Sequence, residues 1–181
     1  SSMAYYIRDG HLAPGDSVFS VIMRELVESE KPLSILVSMY YMKRFEESPE
    51  ARVALLESLN ALREAGHRVT LLGDVPAFPI HPEKCVFVND AGREPRSCSI
   101  SPQDLRAQLE TYEATLKAIS NRLGVPFIPL YEPLCESGRC GMVSSGQILY
   151  SDIHHLNPTG SRQVGAYLAD RLRQSGQTGR R

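Results

Sequence analysis

A chain of 181 residues, 42% of them hydrophobic, is long enough for one domain with a full core. Its formal net charge of −1, with both signs mixed along the chain, argues against a nucleic-acid-binding surface. No apolar run approaches the roughly 20 residues of a membrane span, and no signal peptide is evident.

In chain order, residues 18–30 read as a helix with Val18, Ile22 and Leu26 on one face and Asp16 or Ser17 as its cap. Residues 33–41 read as a strand centred on Ile35-Leu36-Val37. Residues 49–65 form the next helix, with Val53, Leu56, Leu59 and Leu62 as its buried stripe and Gly66 as its stop. Residues 68–72 are a strand, and residues 73–101 are irregular with a strand around Val86-Phe87-Val88. Ser101-Pro102-Gln103-Asp104 opens a helix expected to reach Leu123, where Gly124 closes it. Residues 125–130 form a strand whose Pro126 and Pro129 suit a sheet edge. A short strand at residues 147–150 precedes a last helix, from Pro158 to about residue 173. This alternation predicts an α/β fold, a three-layer α/β/α sandwich with a mainly parallel sheet. Residues 1–173 are expected to form this single domain, and the polar end, residues 174–181, a disordered tail. The functional loops should follow the strand ends at Tyr41, Leu72, Leu130 and Tyr150.

The four cysteines carry information about compartment. Cys135 and Cys140 bracket a turn-like Glu-Ser-Gly-Arg, short enough for a local disulfide, and Cys85 and Cys98 bracket a polar loop. An even count on loops favours two disulfides and an oxidising compartment. A four-thiolate zinc site is the rival, but neither pair has the two-residue spacing of zinc ribbons.

The candidate chemistry lies in Leu149-Tyr150-Ser151-Asp152-Ile153-His154-His155-Leu156-Asn157-Pro158-Thr159-Gly160. Asn157 can cap the last helix and Pro158 suits its first position. Asp152 stands three residues before His155, and on one short loop the two can meet through the Nδ1 proton. That contact fixes the tautomer and leaves Nε2 free to take a proton from a nucleophile, as in a catalytic triad. Without context, the same spacing is a capping carboxylate beside a surface histidine. His154, two residues from Asp152, is the weaker partner.

The element order, the Gly73-Asp74-Val75-Pro76 loop, Leu134-Cys135 with Cys140, and the block from Leu149 to Gly160 together carry a resemblance. From about residue 33 to residue 173 the chain resembles the SGNH-fold (flavodoxin-like) domain found at the C-terminus of bacterial membrane acyltransferases of the acyltransferase-three type. The resemblance implies that Asp152 and His155 are the acid and base of a Ser-His-Asp site. It further implies transfer of an acetyl group to hydroxyls of lipopolysaccharide O-antigen or a related cell-surface glycan. The implied partners are the glycan acceptor and an upstream integral-membrane domain of the same polypeptide, with acetyl-coenzyme A as that domain's donor. The domain itself would lie in the periplasm and need no cofactor or metal.

The family carries its serine in a Gly-Asp-Ser block directly after the first strand, and Gly15-Asp16-Ser17 matches it in letters. The preceding residues, Arg8-Asp9-Gly10-His11-Leu12-Ala13-Pro14, are polar and end in proline, which makes a poor central strand. Family domains also place a further strand between that block and the strand matching residues 33–41. Ser17 is therefore expected to be a helix cap, with the true serine block upstream and the domain lacking its first strand. The Ser1-Ser2-Met3 start fits that expectation, and Ser17 as nucleophile is the alternative. No oxyanion residue carries over: Tyr41 is followed by Met42-Lys43-Arg44-Phe45 with no asparagine, although Tyr40 and Tyr41 fit an aromatic segment of this branch. Three other functions stay open: a secreted SGNH esterase that deacetylates glycans, a non-catalytic glycan-docking module, and a cytosolic α/β domain with four free thiols.

Overall fold

The computed structural model describes residues 7–8, 11–12, 18–85, 98–136 and 139–178. They fall into two units, one of residues 1–73 with 111–127, the other of residues 74–110 with 128–181. Among the described residues, no helix is long and apolar enough to cross a membrane.

In the first unit, a short hairpin of β1 (Ile7–Arg8) and β2 (His11–Leu12) forms a two-stranded sheet of its own. After α1 (Val18–Val27), β3 (Ser34–Val37) pairs in parallel with β4 (Arg68–Leu72), from Ser34 opposite Arg68 to Val37 opposite Leu71. Parallel strands need a crossover, and α2 (Tyr41–Glu47) and α3 (Glu50–Glu64) supply it. β4 is the middle strand, buried from Val69 to Leu72, with β6 (Phe127–Ile128) on its other side. Pro126 and Pro129 thus flank an edge strand of this sheet, and the Pro126 carbonyl accepts from the Leu71 N–H at 2.8 Å.

Two local expectations are corrected in this unit, and a third at its boundary with the other. The strand expected to reach Tyr41 ends at Val37, and Tyr41 instead opens α2. Its ring is fully buried against Phe45 and Tyr112, and its hydroxyl donates to the Val37 carbonyl at 3.3 Å. Burial of that ring overrides a weak local strand preference. The stripe of α3 is Ala51, Ala54, Leu55, Ser58, Leu59 and Leu62, whereas Val53 is 56% exposed. A strict three-residue spacing drifts off the face that a 3.6-residue period keeps inward.

The long helix expected over residues 101–123 is two helices, α4 (Pro102–Glu110) and α5 (Glu113–Leu123). The break falls at Thr111 and Tyr112, both poor helix formers, with Tyr112 buried against Tyr41. It is also where the chain passes from one unit to the other. Gly124, in the left-handed conformation at φ 65°, ends α5 as expected. One buried histidine pins the first unit together. His67 Nδ1 accepts from the Leu33 N–H at 3.2 Å, and its Nε2 lies 2.6 Å from the Leu26 carbonyl, which only a donor can satisfy.

The second unit is built from short antiparallel pieces. β5 (Ser99–Ile100), β8 (Arg139–Gly141) and β7 (Cys135–Glu136) form one sheet in that order. β9 (Val143–Ser144) and β10 (Gln147–Ile148) form a separate hairpin. The strand expected over residues 147–150 is therefore no member of the parallel sheet. It pairs with β9 because Ser145 and Gly146, at φ 49° and 75°, make the tight turn that returns the chain on itself. A core of Phe78, Cys85, Cys98, Ile100, Leu134, Cys140, Met142, Leu149, Tyr150 and Val164 lies beneath.

Both expected disulfides are present, Cys85–Cys98 inside this core and Cys135–Cys140 across β7 and β8, and no described cysteine is free. This pairing argues against the thiolate zinc site and the four-free-thiol alternative. Cys135 and Cys140 lie on strands rather than loops, at directly paired positions of the hairpin. The strand expected around Val86-Phe87-Val88 lies outside the described residues. The last helix, α6 (Pro158–Thr178), runs five residues beyond the end expected near residue 173.

Candidate active site

The loop between β10 and α6 is anchored at both ends before any chemistry is considered. Asn157 caps α6: its Oδ1 accepts from the Thr159 and Gly160 N–H groups, each at 2.9 Å. Its Nδ2 donates to the Ile148 carbonyl at 2.7 Å and its backbone N–H to that of Leu149 at 2.9 Å. One side chain thus ties the helix start to the strand end. Gly160 belongs to the same joint, since a Cβ there would run into the Leu149 carbonyl oxygen. Tyr150 and Leu156 form an isolated bridge, and the Ser151 N–H donates to the His155 carbonyl at 2.8 Å.

Inside that closed loop, Asp152 faces its own backbone. Oδ1 accepts from the His154 N–H at 2.8 Å and the His155 N–H at 2.7 Å. Oδ2 lies 2.6 Å from His155 Nδ1. Partial desolvation raises the carboxyl's pKa, but the His154 N–H, the His155 ring and the His155 N–H outweigh it and hold Asp152 well below the usual carboxylate range. An ionised carboxylate makes Nδ1 the protonated ring nitrogen, so Nε2 is the basic one. The His155 side chain is 67% exposed, which leaves that nitrogen reachable.

His154 is placed differently. Its Nδ1 is 3.6 Å from Asp152 Oδ1, and its ring lies against that of His155 with centroids 4.0 Å apart. Asp152, His154 and His155 also form a group whose ligand atoms lie within 4.8 Å of one another, a set that could hold a metal ion. The short Nδ1–carboxylate contact and the free Nε2 fit proton transfer better, because a ligating Nδ1 would have to give up its proton. Ser17, with Gly15 and Asp16, lies outside the described residues.

Sequence reasoning missed the clamp on the neighbouring loop. The Gln108 side chain acts like a piece of strand backbone, accepting from the Ala77 N–H at 3.0 Å and donating to the Ala77 carbonyl at 2.7 Å. The adjacent Phe78 N–H donates to the Ile153 carbonyl at 2.8 Å, and the Phe78 ring meets Tyr150 edge-on at 4.9 Å. The loop after β4 thereby braces the middle of the Asp–His turn. A glutamine thirty-one residues from its partner leaves no local pattern to read. The two backbone donors to Asp152 were also not read, although an Asp that bonds N–H groups two and three residues ahead is a standard turn device.

Fold and loop together define a mixed α/β domain that carries a carboxylate–imidazole pair just before its last helix. A family model described as "SGNH domain (fused to AT3 domains)" matches residues 15–170, and the chain belongs to that family. No curated protein matches the chain in sequence. Among solved structures, the periplasmic domain of a lipopolysaccharide acetyltransferase from Salmonella ser. Paratyphi A is similar, with a TM-score of 0.63 and 16% identity. The match covers 85% of this chain and 61% of that one, so the chain spans less than two thirds of the solved domain. At that identity the likeness shows the fold alone.

Proposed function

We propose that this domain passes an acetyl group to hydroxyls of a cell-surface polysaccharide by Ser-His-Asp chemistry, with Asp152 and His155 as acid and base. The observation that carries the reading is the 2.6 Å contact between Asp152 Oδ2 and His155 Nδ1, with the carboxylate fixed by two backbone N–H groups. His155 Nε2 takes the proton of the serine hydroxyl as its oxygen attacks the acyl carbonyl, and returns it to the leaving group. In the second half it takes the proton of the sugar hydroxyl that attacks the acyl-serine, and the serine regains a proton as the ester leaves. Asp152 stays ionised and stabilises the imidazolium formed at each transfer.

In this reading an integral-membrane domain of the same polypeptide supplies the acyl group from acetyl-coenzyme A, and the domain described here works in the periplasm. Family membership and the two disulfides support that placement. The exposure of His155 also admits water as the acceptor, so an esterase would differ only in what attacks the acyl-serine.

The test is O-acetylation of surface polysaccharide by the full-length protein, read by proton NMR of the purified glycan. His155→Ala is expected to abolish it, and Ser17→Ala to leave it intact, as the sequence-based expectation of a helix cap requires. Retained acetylation with His155→Ala would overturn the mechanism. Loss with Ser17→Ala would make Ser17 the nucleophile and remove the need for a serine upstream.

A further inference from the structure

A second polar site lies in the same unit as the Asp–His loop. A cleft of about 320 Å³ is lined by Ser99, Glu136, Arg139, Ser144, Ser145 and Gln163, with Leu134 and Val143 as apolar floor. Glu136 and Arg139 are direct cross-strand partners on β7 and β8, a position where opposite charges ordinarily close on each other. Here they form no ion pair among the described residues, and the contact Arg139 makes is a 3.5 Å bond from Nη1 to Ser99 Oγ. Both heads stay available to a third party.

Two fastenings hold the walls of the cleft around Glu136 and Arg139. The Cys135–Cys140 disulfide sits beside both of them and fixes the β7–β8 pair. Gln163 Nε2 donates to the Pro133 carbonyl at 2.6 Å, fastening α6 to the opposite wall. Ser145, at φ 49° in the tight turn between β9 and β10, lines the same cleft.

The charge balance selects the ligand. An anion would meet the Glu136 carboxylate as well as the Arg139 guanidinium, whereas a neutral polyol satisfies both, its hydroxyls donating to one and accepting from the other. Gln163 lies five residues along α6 from Pro158, about 8 Å from the helix start that follows His155. We propose that this cleft binds a neutral sugar of the acceptor chain that flanks the sugar receiving the acyl group. The proposal rests on the glycan-acylation reading above.

The test is an amide-shift titration of the ¹⁵N-labelled chain with galactose, mannose and rhamnose, and separately with glucuronate and inorganic phosphate. A neutral sugar is expected to move the amides of Arg139, Ser144, Ser145 and Gln163. Glu136→Gln or Arg139→Ala should weaken binding about tenfold, the loss of one charge-assisted hydrogen bond. His155→Ala should bind unchanged. Shifts with phosphate or glucuronate alone would overturn the proposal, as would no shift with any probe. In the full-length protein, Arg139→Ala should raise KM for the polysaccharide with kcat retained; an unchanged KM beside a His155-dependent reaction would sink the cleft and spare the function. Sugar binding that persists where His155→Ala leaves acetylation intact would instead keep the cleft and sink the catalytic reading.

Discussion

The two units of this chain are held together by different physics. The unit of β3 and β4 relies on periodic packing: a stripe on α3, a buried middle strand, and a histidine that joins three segments by two hydrogen bonds. The unit of the Asp–His loop has two-residue and three-residue strands, both disulfides, and side chains such as Asn157 and Gln108 standing in for backbone partners. Short strands bury too little to hold irregular loops by themselves, so covalent links and caps take over. That suits a site, since a reacting pair needs fixed irregular backbone more than it needs regular structure.

The turn at Asp152 is where the second unit departs furthest from regular structure. Asp152→Asn keeps an oxygen to accept the two backbone N–H groups, so the loop should survive. It removes the charge and the acceptor that hold His155 in its tautomer, and acyl transfer by the full-length protein should fall about 10³- to 10⁴-fold. Thermal unfolding measured in parallel should barely move. A collapse in stability would mean that the carboxylate is architectural rather than catalytic.

Next in size is the covalent difference between the units. The Cys85–Cys98 link closes 13 residues and Cys135–Cys140 closes 5. Loop-closure entropy then assigns about 3 kcal/mol to the first and about 2 kcal/mol to the second. Urea unfolding of Cys85→Ser/Cys98→Ser and Cys135→Ser/Cys140→Ser double variants should show that order. Burial adds to both losses, with two serine hydroxyls entering the apolar core in the first variant and one, at position 140, in the second. An equal loss from both pairs would show that chain entropy is not what they contribute.

The same contrast explains what could be read in advance. β4 was legible to the residue, and so were the stops at Gly66 and Gly124, since each depends on neighbours in sequence. The Asn157–Pro158 helix start, the cysteine pairs and the approach of Asp152 to His155 are equally local, spanning a handful of residues or a single turn. What failed to show is non-local. Tyr41 begins a helix, and Tyr112 breaks one, because their rings stack on each other from 71 positions apart, with centroids at 6.0 Å. Likewise, residues 147–148 alternate like any strand, and only the left-handed Ser145–Gly146 turn assigns them to a hairpin. The clamp of Gln108 on Ala77 has no sequence signal at all.

On the other side of the comparison, His67→Ala tests whether the periodic unit can be weakened without touching the chemistry. Two hydrogen bonds and the packing of a buried ring are lost, an expected destabilisation of about 2 kcal/mol by urea unfolding. The rate of acyl transfer per folded molecule should be unchanged. A fall in that rate would mean that the first unit shapes the site as well as carrying part of the fold.

The smallest effect expected is also specific to the second unit. Asp152 has a folded-state pKa held below its ordinary value of about 3.9, so it adds stability above that value and loses it as pH falls toward the depressed folded value. Its side chain is 36% exposed, so solvent screening keeps the contribution modest. The direction is nonetheless fixed: native chain should lose stability more steeply than Asp152→Asn as pH drops below about 4, and the two should run parallel above about 5. His155 carries the other half of the link. Once Asp152 is protonated, Nδ1 faces a neutral carboxyl and no longer has the charge that set its tautomer. Activity should therefore not outlast the ionised carboxylate, and an acid limb of acyl transfer that persisted in Asp152→Asn would have to come from a different group.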